Sequence, residues 1–441
     1  MITLLRNFLS KEVIMDGIPH VNQILLCWIT FLLLALPIRT RATFFELLIG
    51  ALIARSGHIT QAVLRIPSPK HWTTFYKLIE VGKWSYLLFG KQLLKLVLTF
   101  FPRSDWNLIV DDVAVVRSSK KAPGVHWVHN HTQKPNRPRC IWGQCWVALG
   151  ISVSFGKRVA SIPLLLHLKR TTGNASKLKS VLVLLRCVVP TLKATGTKTI
   201  RLLIDAWYMK GTLIIPLAAQ GIYVIGRVRW DTALFLPPPQ RRKRRGRPRT
   251  YGTKITTESV DRLHIHQRTF HIYGKRQPVR YRSIRCLARF LKGIPVIAVW
   301  MQLENQRGWS LILSTDITLT PERIIKLYAR RWKIEPMFNE LKHMVGLKET
   351  WQQSRQALSR WATMLCAAYA LPRMIALVAP RKAELGIPPW RKNQPVTSGM
   401  VVLALQRIFL QVAVWHQIHL KYPKFNHIFG HKKVIGYQRT K

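Results

Sequence analysis

The chain has 441 residues, with 70 lysines and arginines against 18 aspartates and glutamates, and a formal net charge of +52. Such a charge indicates a polyanionic partner, of which nucleic acid is the most common. Its 16 tryptophans and 48% hydrophobic residues exclude a short, purely structural basic protein, and the length suggests about two to four folded units.

Six cysteines occur without a C-x-x-C pair, which indicates neither a zinc site nor a disulfide framework and favours a reducing cytoplasm. The apolar run from Ile24 to Leu36 is too short to span a bilayer and predicts a buried helix. It also lies too far from the N-terminus for an ordinary signal peptide. We therefore expect a cytoplasmic, nucleoid-associated protein without a membrane segment.

Residues 1–103 are predicted to form a helical N-terminal DNA-binding domain. Phe44 to Ala54 and Ile59 to Ile66 carry apolar residues at helical spacing, and Ser56-Gly57 interrupts the pattern between them. Longer helical patterns follow, from Trp72 to Phe101. Two short helices joined by a glycine turn are typical of a helix-turn-helix unit, but a plain helical bundle fits equally well.

Apolar, β-branched strands begin at Trp106 and predict the first part of an α/β core in residues 104–222. One strand holds Asp111 and Asp112 in its middle, and another ends at Asp205. A buried carboxylate is costly unless a cation or metal pairs with it, so these acids stand out. The other elements predicted here are strands Trp142–Phe155 and Arg158–His167 and helix Ser176–Val188, ended by Pro190. This order favours a ribonuclease-H-like sheet.

Residues 223–316 are predicted to form a β-rich insertion that faces DNA. Its strand candidates are Tyr223–Val228, Leu263–Tyr273, Pro295–Gln302 and Trp309–Leu313. Its loop 241–249 has seven basic residues among nine, so Arg245, Arg247 and Arg249 are candidate DNA contacts. Gly246-Arg247-Pro248 resembles the core of an AT-hook, with plain phosphate binding as the alternative.

Two further polar stretches are given structural interpretations. His126 to His131 contains three histidines, but no ligand partner stands at the required spacing, and a polar hairpin between strands is the prediction. Asp316 is interpreted as a loop aspartate that precedes a helix. A long helix is predicted from about Arg355 to Val378, and the basic C-terminal region 381–441 has one short helix around Met400 to Val414.

Tyr328, Arg331, Glu335 and Lys342 follow the spacing Y-x2-R-x3-E-x6-K, within the second part of the core at 317–380. Offsets of three, four and seven residues place the four side chains on one face of a helix, which Pro336 should begin or kink. A carboxylate flanked by cations suits metal-assisted phosphate chemistry. The solvated charged face of an amphipathic helix is the alternative.

The motif and the upstream acids resemble those of the DDE transposases of bacterial insertion sequences, in the subgroup named for its Y-R-E-K helix. The resemblance implies a ribonuclease-H-like, retroviral-integrase-like core with Asp111, Asp205 and Glu335 as catalytic acids, and a β-rich insertion before the glutamate. The first family motif is usually D-x-T, which favours Asp111. Val113 replaces the threonine, so Asp112 stays open as the first acid and as a metal ligand.

Phosphodiester hydrolysis and transfer need two metal ions bridged by carboxylates, so Mg²⁺ or Mn²⁺ is the expected cofactor. The resemblance implies an enzyme that binds the inverted ends of its element in double-stranded DNA as a homodimer, cleaves them and joins the 3′-hydroxyl ends to target DNA. Another ribonuclease-H-like nuclease and a non-catalytic DNA-binding protein derived from a transposase are the alternatives.

Three residues of the motif are expected to contact DNA. Arg331 and Lys342 should contact phosphate rather than pair with local acids, since acids are scarce, and Tyr328 lies on the same helical face. The resemblance implies that Trp309 stacks on a base displaced during hairpin formation. A core position beneath its strand is the alternative for Trp309.

Overall fold

The computed structural model describes residues 21–129, 138–156, 158–169, 175–239, 249–304, 306–378, 385, 391 and 394–421. One continuous hydrophobic core runs through them, from Val21 in the first helix to Leu405 in the last. The helical N-terminal part and the sheet therefore share their buried surface.

A mixed sheet forms the centre of the fold. Its first five strands lie in the spatial order β4-β3-β1-β5-β6, with β3 antiparallel to its neighbours and β1, β5 and β6 parallel. This order is consistent with a ribonuclease-H-like nuclease fold. The strands are β1 (Asp105–Val116), β3 (Cys140–Phe155), β4 (Arg158–Leu168), β5 (Thr199–Ile204) and β6 (Ile222–Val228).

The register between β1 and β5 decides where the acids lie. Asp105 pairs with Thr199 and Ile109 with Leu203, in parallel. Continued along both strands, the same register brings Asp111 level with Asp205, which directly follows β5. Because Leu202 to Ile204 of β5 are apolar and buried, the carboxylate of Asp205 lies where this strand ends.

The predicted insertion continues this sheet rather than folding beside it. The order continues β6-β11-β10-β9-β7, and β8 pairs with β9, while a short strand, β2, extends the opposite side through β3. β6, which the predicted boundary at residue 223 assigns to the insertion, pairs in parallel with β5. The added strands are β2 (Val125–His129), β7 (Leu234–Phe235), β8 (His266–Ile272), β9 (Lys275–Ala288), β10 (Pro295–Leu303) and β11 (Ser310–Ser314).

Twelve helices are found in the described residues. Their bounds are α1 (Val21–Leu33), α2 (Ile38–Ala54), α3 (Ile59–Leu64), α4 (Trp72–Glu80), α5 (Tyr86–Phe100), α6 (Ala175–Ala194), α7 (Gly211–Ala218), α8 (Thr257–Asp261), α9 (Pro321–Arg331), α10 (Ile334–His343), α11 (Arg355–Val378) and α12 (Ser398–Lys421).

Helix α11 lies between β4 on one side and the N-terminal helices on the other. It is the one described helix long and apolar enough to cross a membrane, and 89% of that apolar stretch is buried within the protein. The core helix of a globular protein has the same length and composition. Arg360 of α11 also donates to the carbonyls of Ile79, Glu80 and Trp84, which anchors the end of α4 to the core.

The glycine turn between α2 and α3 is buried against the segment that follows α10. Glu349 accepts hydrogen bonds from the Ser56 hydroxyl at 2.9 Å and from the Gly57 N–H at 3.0 Å. A Cβ atom at Gly57 would approach the carbonyl oxygen of Gly346 to 1.8 Å. The turn therefore serves to attach the N-terminal helices to the core, and the DNA-binding role of these helices stays a prediction.

Several predicted helices have other boundaries in the structure. The helical patterns from Trp72 to Phe101 form two helices, α4 and α5, separated at residues 81–85. The prediction that Pro190 ends a helix is wrong, because α6 continues through it to Ala194. Val188, Val189 and Leu192 are buried there, so side-chain packing holds a helix that the proline alone would interrupt. The predicted helix around Glu335 is also divided, and the break between its two parts lies at the candidate site.

Candidate active site

Asp111 and Asp112 are neighbours in β1 and therefore point to opposite faces of the sheet. Helix α10 packs on β1, and α6 packs on the neighbouring strands β3 and β4. Asp111 contacts Arg331, the last residue of α9, and Asp112 contacts Lys177 in α6. The two candidates for the first acid thus lie in different surroundings.

Arg331 joins Asp111 to Glu335. Its Nη1 donates to Oδ2 of Asp111 at 3.0 Å, and its Nη2 donates to Oε1 of Glu335 at 3.3 Å. The Arg331 side chain is 14% exposed and that of Asp111 19%, whereas that of Glu335 is 49% exposed. The expectation that Arg331 avoids pairing with local acids is wrong: it bridges two of the few acids in the chain.

The helix that carries this motif is broken. α9 ends at Arg331 and α10 begins at Ile334, so Tyr328 and Arg331 belong to one helix and Glu335 and Lys342 to the next. Pro336 occupies the first turn of α10, where its missing N–H costs no hydrogen bond. The predicted single face is therefore divided, although Arg331 and Glu335 keep the contact that a four-residue spacing allows.

Asp205 is held by the turn that follows β5. Its Oδ1 accepts hydrogen bonds from the N–H groups of Trp207 at 3.1 Å and Tyr208 at 3.2 Å. A short acid that accepts from the next residues stabilises a sharp turn, which is why the strand can stop at Ile204. The carboxylate is thereby oriented before any ligand is bound.

Asp112 is enclosed by partners on the other face of β1. Lys177 donates to its Oδ2 at 2.8 Å and the Tyr208 hydroxyl donates to its Oδ1 at 2.9 Å, while the thiol of Cys145 lies 3.5 Å from Oδ2. Burial is the largest single influence on the pKa of Lys177 and lowers it, but the charge of Asp112, the hydrogen bond to Asp112 and further acidic groups nearby together raise the pKa above its usual value. Lys177 is therefore a cation held against Asp112 at neutral pH.

The electrostatics of the other two aspartates are those of acids held close together. Burial, followed by the negative charge of Asp205, raises the pKa of Asp111 to about 7, and the Arg331 guanidinium limits that rise. Burial also raises the pKa of Asp205, against the hydrogen bond from Tyr208 and the charge of Arg331. Carboxylates whose ionised form is disfavoured by burial and by mutual repulsion are stabilised strongly by a bound cation.

No group of three or more His, Cys, Asp or Glu side chains within the described part of the chain is already arranged as a metal site. The donor set nevertheless fits a hard divalent ion: Asp111, Asp205 and Glu335 supply only carboxylate oxygens, which suit Mg²⁺ and Mn²⁺. Arg331 already supplies a positive charge to two of them. The convergence of all three acids on two ions stays a prediction.

The remaining predicted site residues are distributed as follows. Tyr328 is buried, and its ring centre lies 5.8 Å from the Arg331 guanidinium. Lys342 is partly buried on α10. Arg249 is exposed, and Arg245 and Arg247 lie outside the described residues, as do the proposed AT-hook core 246–248 and most of the basic loop.

Trp309 is partly buried, and the Arg282 guanidinium covers one face of its ring at 4.9 Å from the ring centre. Leu311 pairs with Val228, so Trp309 lies level with Trp230, just beyond the end of β6. Trp230 is 80% exposed at the same edge of the sheet. The stacking role of Trp309 stays a prediction. The alternative, a core tryptophan beneath its strand, agrees only in part, because Trp309 is partly and not fully buried.

Asp316 and the histidine stretch have structural roles. Asp316 is 1% exposed and accepts from Nε of Arg201 at 2.8 Å and from the Thr318 hydroxyl, at the opposite end of β5 from Asp205. Its interpretation as a loop aspartate before a helix is confirmed. Val125 to His129 form β2, which pairs antiparallel with β3, as predicted for a hairpin, and residues 130–137 lie outside the described part.

Sequence reasoning missed three polar residues of this site. Lys177 lies in the first turn of α6 and Tyr208 follows Asp205 by three residues. Arg227 is exposed near the end of β6, where its charge acts on Tyr328. Lysine near a helix start and tyrosine after an acid are common patterns, so the sequence carries no signal that separates them from ordinary surface or core residues.

The sheet order is consistent with a nuclease of the ribonuclease-H-like class. The family model that describes DDE superfamily endonucleases matches residues 32–284, and the chain belongs to this family. The match includes Asp111 and Asp205 and ends before Glu335. No curated protein sequence matches the chain. Membership implies an enzyme that cuts DNA and that uses divalent metal ions, as DDE endonucleases generally do.

Proposed function

We propose that the protein is a DDE transposase that binds the inverted ends of its insertion sequence, cleaves them in a metal-dependent reaction and transfers the 3′-hydroxyl ends to target DNA. The observation that carries the proposal is the double ion pair of Arg331. It connects Asp111 in β1 with Glu335 in α10, two acids that are 224 positions apart in the sequence.

The proposed catalytic acids come from three different elements. Asp111 lies in β1, Asp205 directly follows β5 at the same level, and Glu335 lies in the first turn of α10. Carboxylates on separate rigid elements can hold two cations at a fixed separation. When bound, the metal ions would activate the attacking oxygen and stabilise the leaving oxygen of the phosphodiester.

Each of the other residues has a role in binding or charge balance. The ions would be held by Asp111, Asp205 and Glu335. Arg331 offsets the negative charge of these acids, and during the reaction it would stabilise the negative charge that develops on the transferred phosphate. Lys342, one to two turns beyond Glu335 on α10, would contact the backbone of the DNA. Tyr328 packs beside Arg331 and would fix the direction of its guanidinium.

The wider surface also suits DNA. The formal charge of +52 attracts a polyanion such as DNA, and the insertion carries the basic loop 241–249. Trp309 would stack on a displaced base if cleavage proceeds through a hairpin end, and a homodimer on DNA would bring two ends together. Both expectations follow from the resemblance to Y-R-E-K transposases.

The test uses purified protein with a duplex that carries one terminal inverted repeat, in Mg²⁺ or Mn²⁺. Glu335→Gln should abolish nicking and leave binding of the duplex intact, because it removes one ligand charge and keeps the size of the side chain. The matched control is Glu304→Gln, the same change at an exposed position after β10, which should cut normally.

Joining of the freed ends separates the transposase from a plain nuclease. A labelled end and a supercoiled target plasmid should yield joined products with the wild-type protein. Cleavage without joining would favour the alternative nuclease, and binding without either reaction would favour a DNA-binding protein derived from a transposase. Full cleavage by Glu335→Gln would refute the proposed catalytic acid.

A further inference from the structure

One buried tyrosine connects the acids of the two central strands. Tyr208 is fully buried; its backbone N–H donates to Oδ1 of Asp205 at 3.2 Å, and its hydroxyl donates to Oδ1 of Asp112 at 2.9 Å. Asp112 donates its own N–H to Oδ1 of Asp111 at 2.9 Å. Tyr208 and Asp112 therefore link the carboxylate of Asp205 to that of Asp111 through three hydrogen bonds and the covalent structure of the two residues.

A lysine completes this arrangement from a third element. Nζ of Lys177 donates to Oδ2 of Asp112 at 2.8 Å and lies 4.7 Å from the ring centre of Trp207. The N–H of Trp207 donates to the same oxygen of Asp205 that Tyr208 contacts. Lys177 thus restrains both Asp112 and Trp207, and its side chain is only 11% exposed.

The partners of Asp112 argue against a role in binding ions. Each of its carboxylate oxygens already accepts a hydrogen bond, and its charge is balanced by a nearly buried ammonium group. An ion at Asp112 would lie beside the ammonium of Lys177, which would repel it, and breaking this nearly buried ion pair to make room is costly. Asp111 faces the other side of β1, toward Arg331 and Glu335.

We infer that Asp112, Tyr208 and Lys177 are positioning residues, which fix Asp111 relative to Asp205 for divalent ion binding, and that Asp112 is not an ion ligand. The inference rests on the proposed function. Two ions can be bridged only by carboxylates held within a narrow range of distances. Loss of partners that orient the ligands of a metal typically weakens its binding 10–100-fold.

Tyr208→Phe is the decisive variant, because it removes one hydroxyl and keeps the ring. Its matched control is Tyr281→Phe: Tyr281 of β9 in the insertion is equally buried, and its hydroxyl donates to a carboxylate, that of Glu322 in α9. Both variants should lower the melting temperature by a few degrees. Only Tyr208→Phe should weaken Mn²⁺ binding, by about tenfold or more, as measured by calorimetry on the full chain.

A second pair of variants separates ligand from positioning residue. Asp111→Asn should abolish Mn²⁺ binding, whereas Asp112→Asn should retain it with affinity weakened to about the extent seen for Tyr208→Phe. Asn at position 112 keeps an oxygen that can accept from the tyrosine. Abolition of binding by Asp112→Asn, in protein that remains folded, would overturn the assignment of Asp112 as a non-ligand.

The outcomes also distinguish this inference from the proposed function. A wild-type protein that neither binds Mn²⁺ nor nicks DNA would overturn both. A wild-type protein that does both, together with a Tyr208→Phe variant that binds Mn²⁺ as tightly as the wild type, would overturn the positioning role alone. Equal weakening by Tyr281→Phe would also overturn it, because the effect would then be one of general stability.

Discussion

Replacement of Arg331 by glutamine should change how ion binding depends on pH. In the wild type the pKa of Asp111 is raised to about 7, and Arg331, at 3.0 Å, opposes that rise. A proton and a metal ion compete for the same carboxylate, so affinity falls as pH falls through the pKa. Without the guanidinium, the pKa of Asp111 should rise further, and the loss of affinity should begin at a higher pH.

The expected size follows from the burial of the pair. Two unit charges about 4 Å apart interact by about 4 kcal/mol at an effective dielectric constant of 20, and desolvation offsets much of this. A net value of about 1.4 kcal/mol corresponds to one pKa unit. With that shift, protonation would weaken ion binding at pH 6 by about 10-fold in the wild type and by about 100-fold in Arg331→Gln.

The assay is Mn²⁺ binding from pH 6 to pH 8.5 at constant ionic strength. At pH 8.5, where Asp111 is ionised in both proteins, Arg331→Gln should bind at least as tightly as the wild type, because no side-chain cation competes for the acids. Its relative affinity should fall by about sevenfold on going to pH 6. Arg229→Gln is the matched control, because Arg229 is in an exposed ion pair with Asp231.

Two results would refute this reasoning. One is an unchanged pH midpoint in Arg331→Gln, which would mean that the ion pair does not set the charge of Asp111. The other is wild-type affinity that is independent of pH from 6 to 8.5, which would mean that Asp111 is not a ligand or that its pKa is not raised.

Three further predictions concern stability and DNA affinity. With divalent ions removed by a chelator, the raised pKa of Asp111 contributes stability that is complete below pH 4 and is lost as pH rises through 7. Asp111→Asn should therefore raise the free energy of unfolding at pH 8 by up to about 4 kcal/mol. It should also flatten the decline of the melting temperature between pH 5 and pH 8. Gly57→Ala should cost more than about 2 kcal/mol in denaturant unfolding, because its Cβ meets the Gly346 carbonyl, whereas Gly399→Ala, with nothing within 4 Å, should cost nothing. Lys342→Ala should lower the slope of log affinity for DNA against log salt by about 0.9, and an unchanged slope would contradict a phosphate contact.

The strands of the core could be predicted because their residues are apolar on both faces. Leu202 to Ile204 are buried on both faces of the sheet, so their apolar composition identifies the strand. The strand predictions at Arg158–His167 and Pro295–Gln302 agree with β4 and β10 within one residue at each end. Helix ends were less predictable. Helix α6 continues through Pro190 because it packs against elements that are distant in the sequence.

The sequence by itself determined which acids stand out and in what order: Asp111 or Asp112, then Asp205, then Glu335 beside Arg331. It did so because acids are scarce in this chain and a carboxylate in an apolar strand needs a partner. Spacing also placed Arg331 and Glu335 on one helical face, and they stay close across the break between two helices, although their ion pair was not predicted.

Only the tertiary structure decided what each acid contacts. Asp111 and Asp112 are adjacent in sequence and equivalent in composition, and their difference arises from the two faces of β1, one near Arg331 and the other near Lys177 and Tyr208. These partners come from elements tens to hundreds of residues away. Local pattern determines which residues are buried or charged, but the pairing of charges depends on the register of strands and the packing of helices, which no local pattern contains.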